Sequence, residues 1–230
     1  MKTDPKIEEL ISRYSFKAPV TVLSSTIGID NDIYFLSDGE GRRYVLRKAK
    51  RVEKKDAGFE ARLISVLMAE GYKTPRLIPL VDGSLYTETA SGWPVFVFDF
   101  IEGEQFEAGD VTLELAEKGA RALGIFHDIC ARHLGEIGVN GDRDIFTEID
   151  RLLSVPKGKL QNVARYGEFL ALLESYRREA RVRMKQGLGG VTVVHNDCGP
   201  QNLVFARSEP WMIDLDWSCI GPSMKDVGQM

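Results

Sequence analysis

Residues 191–216 read VTVVHNDCGPQNLVFARSEPWMIDLD, and the rest of the chain is organised around them. An apolar, strand-like run, Val191–Val194, leads into His195-Asn196-Asp197. Gln201-Asn202 enters a second run, Leu203-Val204-Phe205. The turn formers Ser208-Glu209-Pro210 follow, and Trp211-Met212-Ile213 ends on Asp214-Leu215-Asp216. Two short strands joined by a turn bring Asn202 and Asp214 together at one end of a hairpin, with Asp197 in the loop leading in. Two carboxylates and an amide converging there are hard oxygen ligands, the kind magnesium takes beside phosphate oxygens. The plainer reading is a turn capped by Asp197 and Asn202, with Asp214 and Asp216 on a solvated strand end.

The spacing of His195, Asp197 and Asn202, followed by an Asp that closes a short apolar strand, resembles the protein-kinase catalytic loop and its metal-binding Asp. Two details point elsewhere within that fold. Asn196 stands where protein kinases carry Arg, and Asp214-Leu215-Asp216 replaces Asp-Phe-Gly. Both resemble the aminoglycoside phosphotransferase / choline kinase superfamily of small-molecule kinases. Several matched parts in the right order make that resemblance specific, where a lone His-x-Asp is weak.

The resemblance implies an α+β, bilobal, protein-kinase-like fold. An antiparallel sheet with one main helix forms the nucleotide-binding lobe, residues 1–102, and a mostly helical catalytic lobe follows, residues 103–230. It implies ATP and Mg2+ as cofactors and a small-molecule hydroxyl as acceptor. Carried over, Asp197 orients the acceptor hydroxyl and receives its proton. Asn202 and Asp214 ligate magnesium, and Asp216 matches a second acidic position of the same motif. His195 holds the loop, and Asp226 braces it. Phosphoryl transfer asks mainly for positioning and charge neutralisation, which suits such a set.

In chain order, Pro5 opens a short helix over residues 5–14. Val20–Leu23, Ile33–Leu36 and Tyr44–Leu46 read as strands, with a hairpin turn at Asp38-Gly39-Glu40-Gly41. The polar stretch Ser24–Asn31 reads as a loop between the first two strands. The resemblance places it over the ATP phosphates, with Ser25 among the contacts. In the third strand Tyr44 and Leu46 face one way and Val45 and Arg47 the other. The resemblance makes position 47 the cation that meets the phosphates, where Lys is the expected type; Lys48, on the opposite face, is the alternative. A basic strand end running on into Lys48, Lys50 and Arg51 is equally open.

Residues 56–70 read as a helix, with Phe59, Leu63, Val66 and Leu67 on one face and Gly71 as its stop. Glu60 sits in its first turn, where a carboxylate is favoured by the helix dipole. The resemblance pairs it with the strand cation. Leu85-Tyr86 and Val95–Phe98 read as the last strands of the lobe. Asp99-Phe100-Ile101-Glu102-Gly103 resembles the hinge, with backbone near Asp99 and Ile101 meeting the adenine edge.

Beyond residue 110 the pattern turns helical. Ala116, Ala120, Leu123 and His127 recur on one stripe, so His127 reads as a core histidine. Ile145–Leu153 and Phe169–Met184 read as further helices, the second with Leu173, Tyr176, Ala180 and Met184 on one face and an Arg-rich face opposite. The superfamily usually continues past the equivalent of Met230 into helices that build the acceptor pocket. The sequence therefore reads as a catalytic lobe cut short at the C-terminus, with exposed apolar surface as a route to a homodimer.

Composition agrees with a globular domain. Of 230 residues, 43% are apolar and 28% charged. A net charge of −4 gives no general attraction to nucleic acid or to anionic membrane, so neither is expected as a partner. The start MKTDPKIEEL lacks a signal-peptide core, and a cytoplasmic location is expected. Cys130, Cys198 and Cys219 have no metal-binding spacing, and passenger thiols are the expectation. The alternative function is a nucleotide-binding, pseudokinase-like module without turnover. A protein kinase is disfavoured by Asn196 and by the Asp-Leu-Asp motif.

Overall fold

The computed structural model describes residues 5–28, 30–50, 57–138, 150, 153–154, 166–185 and 190–228. They form two compact units, one of residues 1–112 with 200–216 and one of residues 113–199 with 217–230.

The first unit is built on a five-stranded antiparallel sheet ordered β1-β2-β3-β5-β4. Its strands are β1 (Thr21–Ile27), β2 (Asn31–Ser37), β3 (Arg43–Ala49), β4 (Thr87–Glu88) and β5 (Pro94–Asp99). Alternation along β3 assigns its two faces. Tyr44 and Leu46 join Leu36, Val95 and Val97 in a core sealed by Ile7, Leu10 and Tyr14 from the helix α1 (Pro5–Ile11) and the turn after it. Val45 and Arg47 face the other side.

The helix α2 (Ala57–Ala69) buries Phe59, Leu63, Val66 and Leu67 as its 3.6-residue periodicity requires. Gly71 ends it at φ +72°, a left-handed position that glycine adopts without a Cβ penalty.

The chain returns to this unit with the hairpin of β7 (Leu203–Ala206) and β8 (Glu209–Met212). Two backbone tethers dock it. Glu104 and Phe205 exchange N–H···O bonds of 2.8 and 3.1 Å, and Met212 donates to Lys73 at 2.9 Å. The turn is Arg207-Ser208, at φ +51° and +64°, the primed geometry that matches strand twist. It therefore sits one step earlier than the expected Ser208-Glu209-Pro210. Arg and Ser carry no signature for positive φ, which is why the sequence hid it. Pro210 lies inside β8, opposite Phe205. Ile213 N–H donates to the Asn202 carbonyl, and alternation from there puts Pro210 at a non-hydrogen-bonded position, where its missing N–H costs the ladder nothing.

The second unit holds α3 (Leu113–Arg132), α4 (Leu134–Ile137), α5 (Tyr166–Lys185), the antiparallel pair β6 (Val191–Val194) and β9 (Cys219–Pro222), and α6 (Met224–Val227). On α3 the buried stripe is Gly119, Ala122, Leu123, Phe126, Ile129 and Cys130. Ala116 and Ala120 are exposed, contrary to the stripe read from the sequence, because Phe126 and Ile129 have more apolar surface to bury and set the face. On α5 Leu173 is half-buried and Tyr176 exposed, while Arg177 and Arg181 reach Asp150 at 2.8 and 3.9 Å. The helix expected over Ile145–Leu153 lies, apart from Asp150 and Leu153, outside the described residues. No described helix is long and apolar enough to cross a membrane.

Candidate active site

A cavity of about 390 Å³ opens in the first unit. Ile33, Phe35 and Val45 line it from the sheet, Phe98–Ile101 from the end of β5 and beyond, and Asn202, Val204, Ile213 and Asp214 from the hairpin. An apolar slot with a few converging polar groups is the form a small-molecule site takes.

Arg47 is the cation in this cavity. It is 5% exposed, and Nη2 donates to both Glu60 carboxylate oxygens at 2.6 Å. Nη1 donates to Asp214 Oδ1 at 3.2 Å. Its guanidinium carbon also lies 5.1 Å from the Phe96 ring and 5.2 Å from the Phe98 ring. Burial works against its charge, but the carboxylates of Glu60 and Asp214 outweigh that and raise its pKa above the ordinary arginine value. Lys48, the alternative cation, pairs instead with Asp32 at 2.8 Å, together with Lys50 at 2.6 Å.

The hairpin places Asn202 and Asp214 on one wall of the cavity. Asp214 has φ +59°, a left-handed conformation that Asp tolerates at a cost of about 1–2 kcal/mol. Asp216 does not line the cavity: it is 4% exposed, and its Oδ2 accepts from Asn31 Nδ2 at 3.0 Å. The amide and carboxylate of Asn202 and Asp214 are the hard donors a divalent cation takes. Among the described residues no three His, Cys, Asp or Glu side chains gather to hold an ion by themselves.

Ser25 falls elsewhere. The stretch read as a loop is strand β1 as far as Ile27, and Ser25 pairs with Tyr34 in it, exposed and outside the cavity lining. The polar run Ser24-Ser25-Thr26 hid the second half of an edge strand whose side chains need not be apolar. The described part of the turn is only Gly28 and Asp30. At the end of β5, Asp99 N–H donates to the Arg76 carbonyl and Phe100 N–H to the Arg43 carbonyl, while Ile101 lines the cavity. Gly103 is held by space: a Cβ there would lie 2.7 Å from the Phe205 carbonyl oxygen.

Asp197 belongs to the second unit, half-buried in the loop that leaves β6. That loop is fixed by Asp226, which is fully buried and accepts from the backbone N–H of His195 at 2.7 Å and of Asn196 at 2.8 Å. His127 Nε2 lies 2.8 Å from the same carboxylate and must be the donor, because an ionised carboxylate only accepts. Burial raises the Asp226 pKa, and these donors overcome it, so the carboxyl is held below its ordinary value. Asn196 completes the turn at φ +67°. His127 is thus a structural partner of the loop, as its place on α3 suggested. The β6–β9 pairing that carries the loop was not read from the sequence. Its signal, the short run Cys219-Ile220-Gly221-Pro222, holds both Gly and Pro, which argue locally against a strand.

The chain belongs to the family described as "Phosphotransferase enzyme family", which matches residues 23–230. Its class is that of kinases with an alcohol acceptor. A homoserine kinase from Beijerinckia indica subsp. indica is 23% identical over 98% of this chain and 68% of its own length. Among solved structures, amicoumacin kinase hAmiN, in complex with AMP-PNP, Ca2+ and Ami, superposes with a TM-score of 0.71 at 16% identity, covering 99% of this chain and 68% of that one. A microcompartment-associated aminopropanol kinase gives a TM-score of 0.59 at 17% identity, covering 97% of this chain and 72% of that one. The chain thus spans about two thirds of the length of these relatives, and its fold is the α+β kinase-like one.

Proposed function

We propose that the chain is an ATP-dependent small-molecule kinase that works with Mg2+ and phosphorylates the hydroxyl of a small amine-bearing acceptor. The observation that carries the reading is the run Glu60–Arg47–Asp214, which brings a fixed cation and a carboxylate to one wall of an apolar cavity beside Asn202. Magnesium bound there would neutralise charge on the transferring phosphate. Arg47, oriented by Glu60, contacts phosphate oxygens, which its planar fork can clamp bidentately. Asn202 and Asp214 supply cation ligands, with Asp216 beside them. Backbone groups near Asp99 and Ile101 bind the adenine edge. Asp197 orients the acceptor hydroxyl and takes its proton. Homoserine and aminopropanol are the acceptors to try first, since a homoserine kinase and an aminopropanol kinase are among the relatives. The chain acts in the cytoplasm, its two lobes divided near residue 102.

The test is a titration of the protein with ATP, with and without Mg2+, beside Asp214→Asn, followed by ADP release with an acceptor panel. The reading requires Mg2+-dependent binding that Asp214→Asn largely removes, and turnover with at least one acceptor that Asp197→Asn abolishes. Binding without transfer to any acceptor would leave a nucleotide-binding module instead.

A further inference from the structure

Asn31 stands 185 residues from Asp216 in sequence, yet its Nδ2 donates to Asp216 Oδ2 at 3.0 Å. Asp216 is 4% exposed, and a buried carboxyl needs hydrogen-bond partners. Among the described residues the Asn31 Oδ1 is buried without a hydrogen-bond partner, so the bond to Asp216 is what orients the amide.

Hydrogen bonds hold Gly28, Asp30 and Asn31 behind that amide. Gly28 N–H donates to the Asn31 carbonyl at 2.9 Å and closes the β1–β2 turn. A Cβ on Gly28 would lie 2.7 Å from that same oxygen, so the turn needs glycine there. Lys50 ties the turn to the end of β3 twice. Its Nζ donates to the Gly28 carbonyl at 2.9 Å, and its backbone N–H donates to Asp30 at 2.9 Å. Asp32, the next residue along β2, holds Lys48 and Lys50 together. The turn and the Asp216 carboxylate are therefore linked through one side chain on a braced support.

We propose that Asn31 is a positioning residue of the nucleotide site: its amide ties the β1–β2 turn to Asp216 and makes cation-assisted nucleotide binding depend on that tie. The inference rests on the Mg2+–nucleotide reading of the Asn202–Asp214 wall. With Asp216 held, the segment that carries Asp214 two residues earlier keeps its left-handed turn, and the cation ligands stay aimed at the cavity. Without the tie, Asp216 loses the Asn31 amide donor, and the aim of the segment that carries Asp214 loosens.

The measurement is the affinity of a non-hydrolysable ATP analogue with and without Mg2+, in wild type, Asn31→Ala, Asn31→Ser and Asp214→Asn. Asn31→Ser keeps a polar turn residue but falls short of Asp216. Both Asn31 variants should lower the Mg2+ enhancement of affinity about tenfold, the worth of one charge-assisted hydrogen bond, and leave the metal-free affinity within about twofold. A merely structural role would instead lower both affinities together or shift only the melting temperature; either result overturns the proposal. If wild type itself shows no Mg2+ enhancement, matching Asp214→Asn, the Mg2+–nucleotide reading fails and this inference falls with it. An enhancement present in wild type and intact in both Asn31 variants sinks this inference alone.

Discussion

Arg47 Nη2 lies 2.6 Å from both carboxylate oxygens of Glu60, and both side chains are buried. Neither charge has water to fall back on, so the pair is worth most as a unit. Removing the cation with Arg47→Met leaves Glu60 buried and uncompensated, a loss on the order of 3–5 kcal/mol. Arg47→Lys keeps the charge but gives up the fork that reaches Glu60 and Asp214 together and the contacts with the Phe96 and Phe98 rings. A loss of about 1–3 kcal/mol is expected, with weaker nucleotide binding. Urea unfolding at neutral pH measures both. A Met variant as stable as wild type would mean that Glu60 finds another partner and that the pair does not organise the cavity.

The brace at Asp226 has a pH signature. Its folded pKa is held below the ordinary carboxylate value, so the unfolded chain takes up the proton first as pH falls. The stability it contributes is complete above the unfolded pKa, near 4, and is lost as pH drops through the lower folded value. Asp226→Asn substitutes an amide for an acceptor of three N–H groups. It should cost about 1–3 kcal/mol at neutral pH and flatten the loss of stability below about pH 4. Unfolding free energies across pH 3–7 decide the matter. An unchanged slope at the acid end would show that other carboxylates dominate there.

Much of this arrangement was legible because two periods are strict. Alternation in β3 assigned Tyr44 and Leu46 to one face and Val45 and Arg47 to the other. Helical spacing chose the buried face of α2. The two apolar runs of the β7–β8 hairpin also pointed to Asn202 and Asp214 at one of its ends, and both line the cavity. What stayed hidden depends on tertiary context. The Arg207-Ser208 turn takes positive φ without the usual residues. Strand β1 is an exposed edge, so its composition looks like a loop. The Asn31–Asp216 bond joins segments that no local pattern relates. On α3, an alanine stripe competed with a Phe–Ile stripe, and only packing could choose between them.

Gly103 gives a test of how the β7–β8 hairpin is docked that involves no charge. Its position leaves no room for a side chain, because a Cβ would meet the Phe205 carbonyl oxygen and Val204 Cγ1, both at 2.7 Å. Those atoms belong to β7, whose docking depends on the reciprocal Glu104–Phe205 bonds. Gly103→Ala should therefore push the hairpin away from the segment after β5, at about 1–3 kcal/mol for overpacking against backbone. Nucleotide affinity should fall with it, since Ile101 and Val204 line the same cavity. Thermal unfolding with and without nucleotide separates the two effects. An alanine variant with wild-type stability and affinity would show that the hairpin can yield there without loss.

Cys198 adjoins Asp197 in sequence, and a thiol so placed invites a chemical role that its surroundings deny. It is 1% exposed, and its pKa is pushed up to about 12, first by burial and then by the carboxylates of Asp226 and Asp197. At pH 8 the thiolate fraction is on the order of one in ten thousand, against roughly a quarter for a free cysteine. Native protein should therefore resist iodoacetamide at Cys198, and burial protects Cys130 and Cys219 in the same way. Labelling should appear only when the second unit opens, so its rate should follow denaturant through the unfolding transition. Mass spectrometry of timed, quenched reactions measures this residue by residue. Rapid labelling of Cys198 in folded protein, with Cys130 still protected, would mean that the loop after β6 opens by itself and that Asp226 braces it less firmly than its hydrogen bonds imply.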